Sequence, residues 1–307
     1  MDTIALQSVR WRAVGLFVAV AMGAAFALDA VCALTGGLGT PLSYALLTVR
    51  MFSPALASWV VCRFVTGEPW LRAVGLRRPA PGGRGRVLTS ALIGAALVVA
   101  VSAACLAVAV AAGWMRPDWT LPGLMARISA LNTNSSKPLP PAGVLLALLP
   151  IESLVAGCTI NAAVALGEET GWRGWLLSAL APLGATRAVL LTGVVWGLWH
   201  APLIAMGYEY NNQIPPLPGI ALFTVSCVAF GCVLAWLRMR SGSVLPAAVA
   251  HGTLNAYGTM PLALVAVGDS WNPVTSSIVG IPAIVMFAVV AVALLGGHRI
   301  VVRAGED

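Results

Sequence analysis

Residues 87–115, VLTSALIGAALVVAVSAACLAVAVAAGWM, lie between Arg86 and Arg116 and hold no charged side chain. A helix needs about 20 apolar residues to cross a hydrocarbon core of about 30 Å, and this run exceeds that. Uncharged runs of similar kind lie between Arg187 and Glu209, Glu209 and Arg238, Arg240 and Asp269, and Asp269 and Arg299. Three more spans carry one charge each: 12–34 with Asp29, 41–63 with Arg50, and 146–168 with Glu152. Eight spans are expected in all. A backbone in lipid must satisfy its own N–H and C=O groups, which leaves closed barrels and helices, and runs of this length read as helices. The expected fold class is all-α, a polytopic integral membrane bundle with about eight transmembrane helices. Residues 1–307 are read as one membrane domain, with no internal repeat.

Composition agrees. The 307 residues are 59% hydrophobic and 9% charged, with a mean hydropathy of +0.89. A soluble domain carries about 25% charge to cover its wetted surface. This excludes a soluble enzyme, a nucleic-acid binder and a disordered chain. The cysteines lie in or at the edge of apolar runs without a C-x-x-C spacing, and read as small buried residues. The excess of Arg over Lys, with much Ala and Gly, points to a GC-rich bacterial genome.

The arginines set the expected orientation. One side of the membrane receives Arg10, Arg12, Arg63, Arg72, Arg77, Arg78, Arg84, Arg86, Arg173, Arg187, Arg238, Arg240, Arg299 and Arg303; the other receives Arg116, Arg127 and Lys137. Basic loops stay in the cytoplasm, so both termini are expected there, in a multi-pass protein of the cell membrane. The net charge of +7 then faces anionic lipid headgroups, and no nucleic-acid partner is needed. Residues 64–87 read as a basic connector. Trp114 and Trp119, in the external segment 114–141, read as interfacial anchors.

Ionisable groups inside a membrane are costly and mark function by default. Here they are Asp29, Arg50, Glu152, Glu168, Glu169, Arg173, His200 and His251, whereas His298 follows the last span and reads as solvated. Asp29 and Arg50 lie on adjacent antiparallel spans toward the outer face. They are expected to pair for structural reasons, with Glu152 as the alternative partner. Three constellations remain. In Gly167-Glu168-Glu169-Thr170-Gly171-Trp172-Arg173, read as ending the fourth span, Glu169 and Arg173 are four residues apart and share a helix face. Arg173 then orients Glu169 and leaves Glu168 toward the bundle interior, where a carboxylate in a dry site serves as a general base. His200 follows Trp196 by one turn. His251 and Asn255 share a face of the seventh span, and the Asn255 amide offers a donor to a developing oxyanion. Two carboxylates, two imidazoles and an amide on three spans, read as lying in the cytoplasmic half, are what peptide hydrolysis requires, by acid–base catalysis or with a metal.

With these motifs in order, E-E-x-x-x-R at Glu168, Glu169 and Arg173, aromatic-x-x-x-H at Trp196 and His200, and H-x-x-x-N at His251 and Asn255, the sequence resembles the CAAX-processing and bacteriocin-processing intramembrane proteases (type II CAAX prenyl endopeptidase-like, or Abi, proteins). The resemblance covers residues 145–260. It implies a catalytic set of Glu168, Glu169, Arg173, His200, His251 and Asn255. It implies water activated by Glu168, Glu169 paired with Arg173, and an oxyanion hole at Asn255. It also implies either zinc held by Glu168, His200 and His251 or a metal-free glutamate mechanism. No H-E-x-x-H is present. One departure is Trp196, where better-known members carry Phe. The expected partners are membrane lipids and a membrane-associated peptide or protein, cut at a cytoplasm-facing cavity. A signalling-peptide or bacteriocin precursor suits a bacterial host better than a prenylated CAAX chain. The alternative is a non-proteolytic immunity or scaffold protein of the same fold. A transporter ranks third, for want of paired repeats.

Overall fold

The computed structural model describes residues 8–76, 83–125, 140–266 and 271–297. His298 and parts of both long loops, including Arg127 and Lys137, lie outside that set. The described chain is helical, and six helices are long and apolar enough to cross a membrane. They are α1 (Trp11–Leu34), α2 (Pro41–Thr66), α3 (Gly83–Ala111), α4 (Ala142–Ala179), α6 (Pro216–Ser241) and α8 (Pro273–Gly296). Two shorter helices, α5 (Ala185–Trp199) and α7 (Leu245–Tyr257), stand where the fifth and seventh spans were expected. At 15 and 13 residues they reach only about 22 and 20 Å. A helix shorter than the hydrocarbon is tolerated where protein surrounds it, and both are extensively buried. These two short helices carry His200 and His251.

The outside of the bundle is apolar. Val285, Val289 and Val292 of α8 are exposed, as are Ile151, Val155 and Ile160 of α4. Glu152, exposed on α4, is not the partner of Arg50. The loops gather at two opposite ends. At one end Arg10 lies 4.0 Å from Glu68, and Val244 N–H donates to the Gly75 carbonyl at 3.3 Å. At the other, Asp118 N–H donates to the Leu264 carbonyl at 2.8 Å and Gln213 donates to the Trp271 carbonyl at 2.8 Å. The first end is arginine-rich and the second arginine-poor, as the alternation of loops requires.

Small residues let the helices that build the site touch backbone to backbone. Gly193 and Gly197, one turn apart on α5, meet Val228 and Thr224 of α6; a Cβ at Gly197 would lie 2.5 Å from the Thr224 Cα. Gly157 of α4 faces Thr253, and Gly252 of α7 faces Ala162. Gly167 and Gly171, which flank the two glutamates, press on Met51, Phe52 and Pro54 of α2. A Cβ at Gly252 would lie 2.3 Å from the Ala162 amide nitrogen, which cannot move away. Gly252→Ala is therefore expected to destabilise the fold by at least about 1–3 kcal/mol. Gly15→Ala, where a Cβ meets nothing within 4 Å, should not. Thermal unfolding of the two variants in detergent checks this.

α4 does not end at the glutamate motif as expected. It runs on through π-helical turns at Gly157–Asn161 and Thr170–Leu176 to Ala179. Such bulges re-aim side chains and gather at functional sites. Arg173, counted above among the loop charges, is consequently inside the bundle and 1% exposed.

Candidate active site

The Asp29–Arg50 pair forms as expected, with Arg50 Nε donating to Asp29 Oδ1 at 2.7 Å and both residues buried. It does more than neutralise charge. Pro54 interrupts α2 after Arg50, and the guanidinium lies at that break. Its Nη2 donates to the Trp199 carbonyl, and its plane sits 3.5 Å from the Trp199 ring centre. Trp199 Nε1 in turn donates to Ser53 Oγ at 3.1 Å. The end of α5 is thus clamped by α2 from both sides of one tryptophan, and the next residue is His200.

His200 caps α5. The last turn tightens, with His200 N–H donating to the Gly197 carbonyl at 3.0 Å. This frees the Trp196 carbonyl, which accepts from the His200 ring Nδ1 at 3.0 Å. A carbonyl only accepts, so Nδ1 carries the proton and Nε2 keeps its lone pair. His251 is held the same way. Its Nδ1 donates to Glu169 Oε1 at 2.8 Å, and the same oxygen accepts from Arg173 Nη1 at 2.9 Å. His200 therefore keeps Nε2 as an acceptor.

Glu168 points elsewhere. Its Oε2 accepts from Trp196 Nε1 at 2.6 Å and more loosely from Trp172 Nε1 at 3.4 Å. Trp196 also stacks under the Arg173 guanidinium at 4.0 Å, and its ring lies 5.2 Å from His251 and 6.1 Å from His200. Phe at this position could fill the space but could not donate the hydrogen bond. Its loss removes a charge-assisted contact of about 1.5–3 kcal/mol. Trp196→Phe is expected to lower kcat/KM roughly 10- to 100-fold with little change in protein level, measured on any cleaved substrate.

Glu168, His200, His251 and Asn255 line one cavity of about 90 Å³, with Trp196 also in its wall. That is room for a few waters. Glu169 and Arg173 stand behind the wall and act on it through His251 and Trp196. Arg50, Leu47 and Met51 of α2 and Val279 near the start of α8 also line it, so the site reaches beyond residues 145–260. Sequence reading missed this, although a buried arginine beside a helix-breaking Ser53-Pro54 was the available signal. At the rim, burial pushes the Glu209 carboxyl above its usual range.

The implied zinc set does not fit. Glu168, His200 and His251 share the cavity, but Glu168 Oε2 already accepts from the Trp196 and Trp172 indoles. Among the described residues no group of three His, Cys, Asp or Glu side chains is placed to hold a metal ion. The donor geometry instead suits a carboxylate, two imidazoles and an amide around water.

Residues 150–257 match the family described as Rce1-like, type II CAAX prenyl endopeptidase. CAAX prenyl protease 2 of Methanococcus maripaludis is 30% identical over 93 residues, covering 29% of this chain and 34% of that protein. The chain thus spans about a third of the length of the curated relative it matches. The matched segment holds every polar motif residue.

Proposed function

We propose that the chain is an intramembrane endopeptidase that hydrolyses a peptide bond in a membrane-associated peptide or protein by a metal-free glutamate mechanism. The observation that carries this reading is a carboxylate, Glu168, 2% exposed and fixed by Trp196, in one water-sized cavity with His200, His251 and Asn255. Glu168 takes a proton from water, assisted by an imidazole Nε2 that accepts the other O–H. The hydroxide oxygen bonds to the scissile carbonyl carbon. Asn255 Nδ2 donates to the oxyanion that forms. Glu168 then returns its proton to the amide nitrogen as the C–N bond breaks, giving a carboxylate and an amine.

Glu169 and Arg173 are positioning residues, which orient the His251 ring. The family's namesake substrate and the match to a CAAX prenyl protease support a lipid-anchored chain as substrate. The test uses the purified full chain in liposomes with quenched fluorogenic peptides, one anchored by a farnesyl cysteine near its C-terminus and one by an acyl chain. Wild type should cleave at least one. Cleavage of neither would favour the scaffold reading, in which the same cavity binds a partner without chemistry.

A further inference from the structure

Glu209 is a carboxylate in the cavity wall that the hydrolysis proposed above does not use. The acidic groups of the bundle interior each have N–H donors. Asp29 has Arg50, Glu169 has Arg173 and His251, and Glu168 has the indoles of Trp196 and Trp172. Glu209 has no such cation: among the described residues every ion pair is made by another carboxylate. Its hydrogen-bonding neighbour is the Tyr208 hydroxyl, and burial still holds its carboxyl above the usual range. Arg50, also in the wall, is engaged by Asp29 and the Trp199 carbonyl. Leu47, Met51 and Leu254 of the same wall are apolar and offer nothing to a charge. A carboxylate drawn out of water without a counter-charge is costly, and in membrane proteins such groups mark substrate and ion pathways.

The backbone that presents Glu209 is strained. Gly207, Glu209, Asn211 and Asn212 have φ of 95°, 65°, 48° and 57°, all in the left-handed region. A residue with a Cβ avoids that region unless its surroundings hold it there, and such strain gathers at functional sites. Here the surroundings do hold it. Tyr210, 1% exposed, donates to the Val279 carbonyl at 3.0 Å, and the Asn211 N–H closes back on the Gly207 carbonyl at 2.9 Å. Gln213 donates to the Trp271 carbonyl at 2.8 Å. Tyr208 and Glu209 thus enter the wall from a loop fixed on either side of them. We infer that Glu209 forms a subsite for a cationic side chain of the substrate, a lysine or arginine close to the scissile bond, whose charge supplies the counter-ion that this wall lacks. Hydrogen bonds between an ionised carboxylate and an ammonium or guanidinium are among the strong ones, so the contact selects as well as binds. This rests on the hydrolase reading for what happens to the chain, but charge recognition is tested without it.

Glu209→Gln keeps the size of the side chain and removes its charge. The purified full chain and this variant, in liposomes, are given acyl-anchored fluorogenic peptides with lysine or its uncharged isostere norleucine placed at each position in turn. Wild type is expected to prefer a lysine peptide over its norleucine counterpart by at least about 10-fold in kcat/KM, the lower worth of a hydrogen bond to a charged group. Glu209→Gln should lose that preference. The ratio is taken within each protein, so a smaller folded fraction of the variant does not move it. No preference in wild type, or the same preference in both proteins, overturns the inference. A second arm reads binding alone, by fluorescence anisotropy of dye-labelled peptides on Glu168→Gln and on the double variant Glu168→Gln with Glu209→Gln. The lysine peptide should bind Glu168→Gln at least about 10-fold more tightly than the norleucine peptide, and the double variant should bind both alike. Equal affinities for Glu168→Gln, or binding of neither peptide, overturn the inference. Lysine-selective binding with no cleavage by wild type would leave the subsite standing and count against the hydrolase reading alone. Cleavage without lysine selectivity would remove the subsite and leave the hydrolase reading standing.

Discussion

Glu168→Gln is expected to reduce peptide cleavage by at least about 10²- to 10⁴-fold, the range for loss of a general base, while protein level in the membrane stays near wild type. The substitution keeps the shape of the side chain. An amide oxygen still accepts from Trp196 Nε1, so the hydrogen bond at 2.6 Å survives. What is lost is the capacity to take a proton from water. Glu169→Gln should behave differently. Glu169 Oε1 is the shared acceptor of Arg173 and His251, and all three are buried. Neutralising it leaves the Arg173 guanidinium without its counter-charge. Its first consequence is less folded protein, and lost activity follows from that. Parallel measurement of kcat and of detergent-extracted folded protein separates a chemical residue from a positioning one. Equal behaviour of the two variants would contradict the assigned roles.

Asp29→Asn is expected to cost about 3–5 kcal/mol, the usual penalty for breaking a buried ion pair from one side. The membrane should contain much less folded protein. The exchange Asp29→Arg with Arg50→Asp restores opposite charges, so protein level should recover in part. Activity should not recover with it. In wild type the guanidinium at position 50 also donates to the Trp199 carbonyl and covers the Trp199 ring, and a carboxylate there can do neither. His200, next in the chain, would lose its clamp. Recovery of level without activity would mark Arg50 as part of the site. Recovery of both would reduce the pair to a structural strut.

Much of this arrangement was legible in the sequence. Long uncharged runs announced membrane helices, because lipid leaves a backbone no other partner. The spacing of four between Glu169 and Arg173 gave their ion pair, and the cost of lone charges gave Asp29 with Arg50. Other features depend on tertiary context that periodicity does not carry. Apolar runs of full spanning length hid α5 and α7, which stop short because Pro202 and Gly258 lie near their ends and neighbouring helices enclose them. The continuation of α4 past Glu169 was obscured because charged residues read as a helix leaving the membrane. Here π-helical turns and glycines at 167, 171 and 174 carry those charges into the protein interior. Trp196 looked like a conservative aromatic, yet its indole N–H is what holds Glu168.

The most direct test of the central claim is the fate of oxygen. Liposome-embedded wild type and Glu168→Gln are incubated with lipid-anchored peptides in water enriched in oxygen-18, and the products are weighed by mass spectrometry. Wild type should yield a shortened peptide whose new carboxylate carries one oxygen from the solvent, at a rate at least 100-fold above the variant. Intact peptides throughout, or the same labelled product at equal rates from both proteins, would contradict a Glu168-activated water.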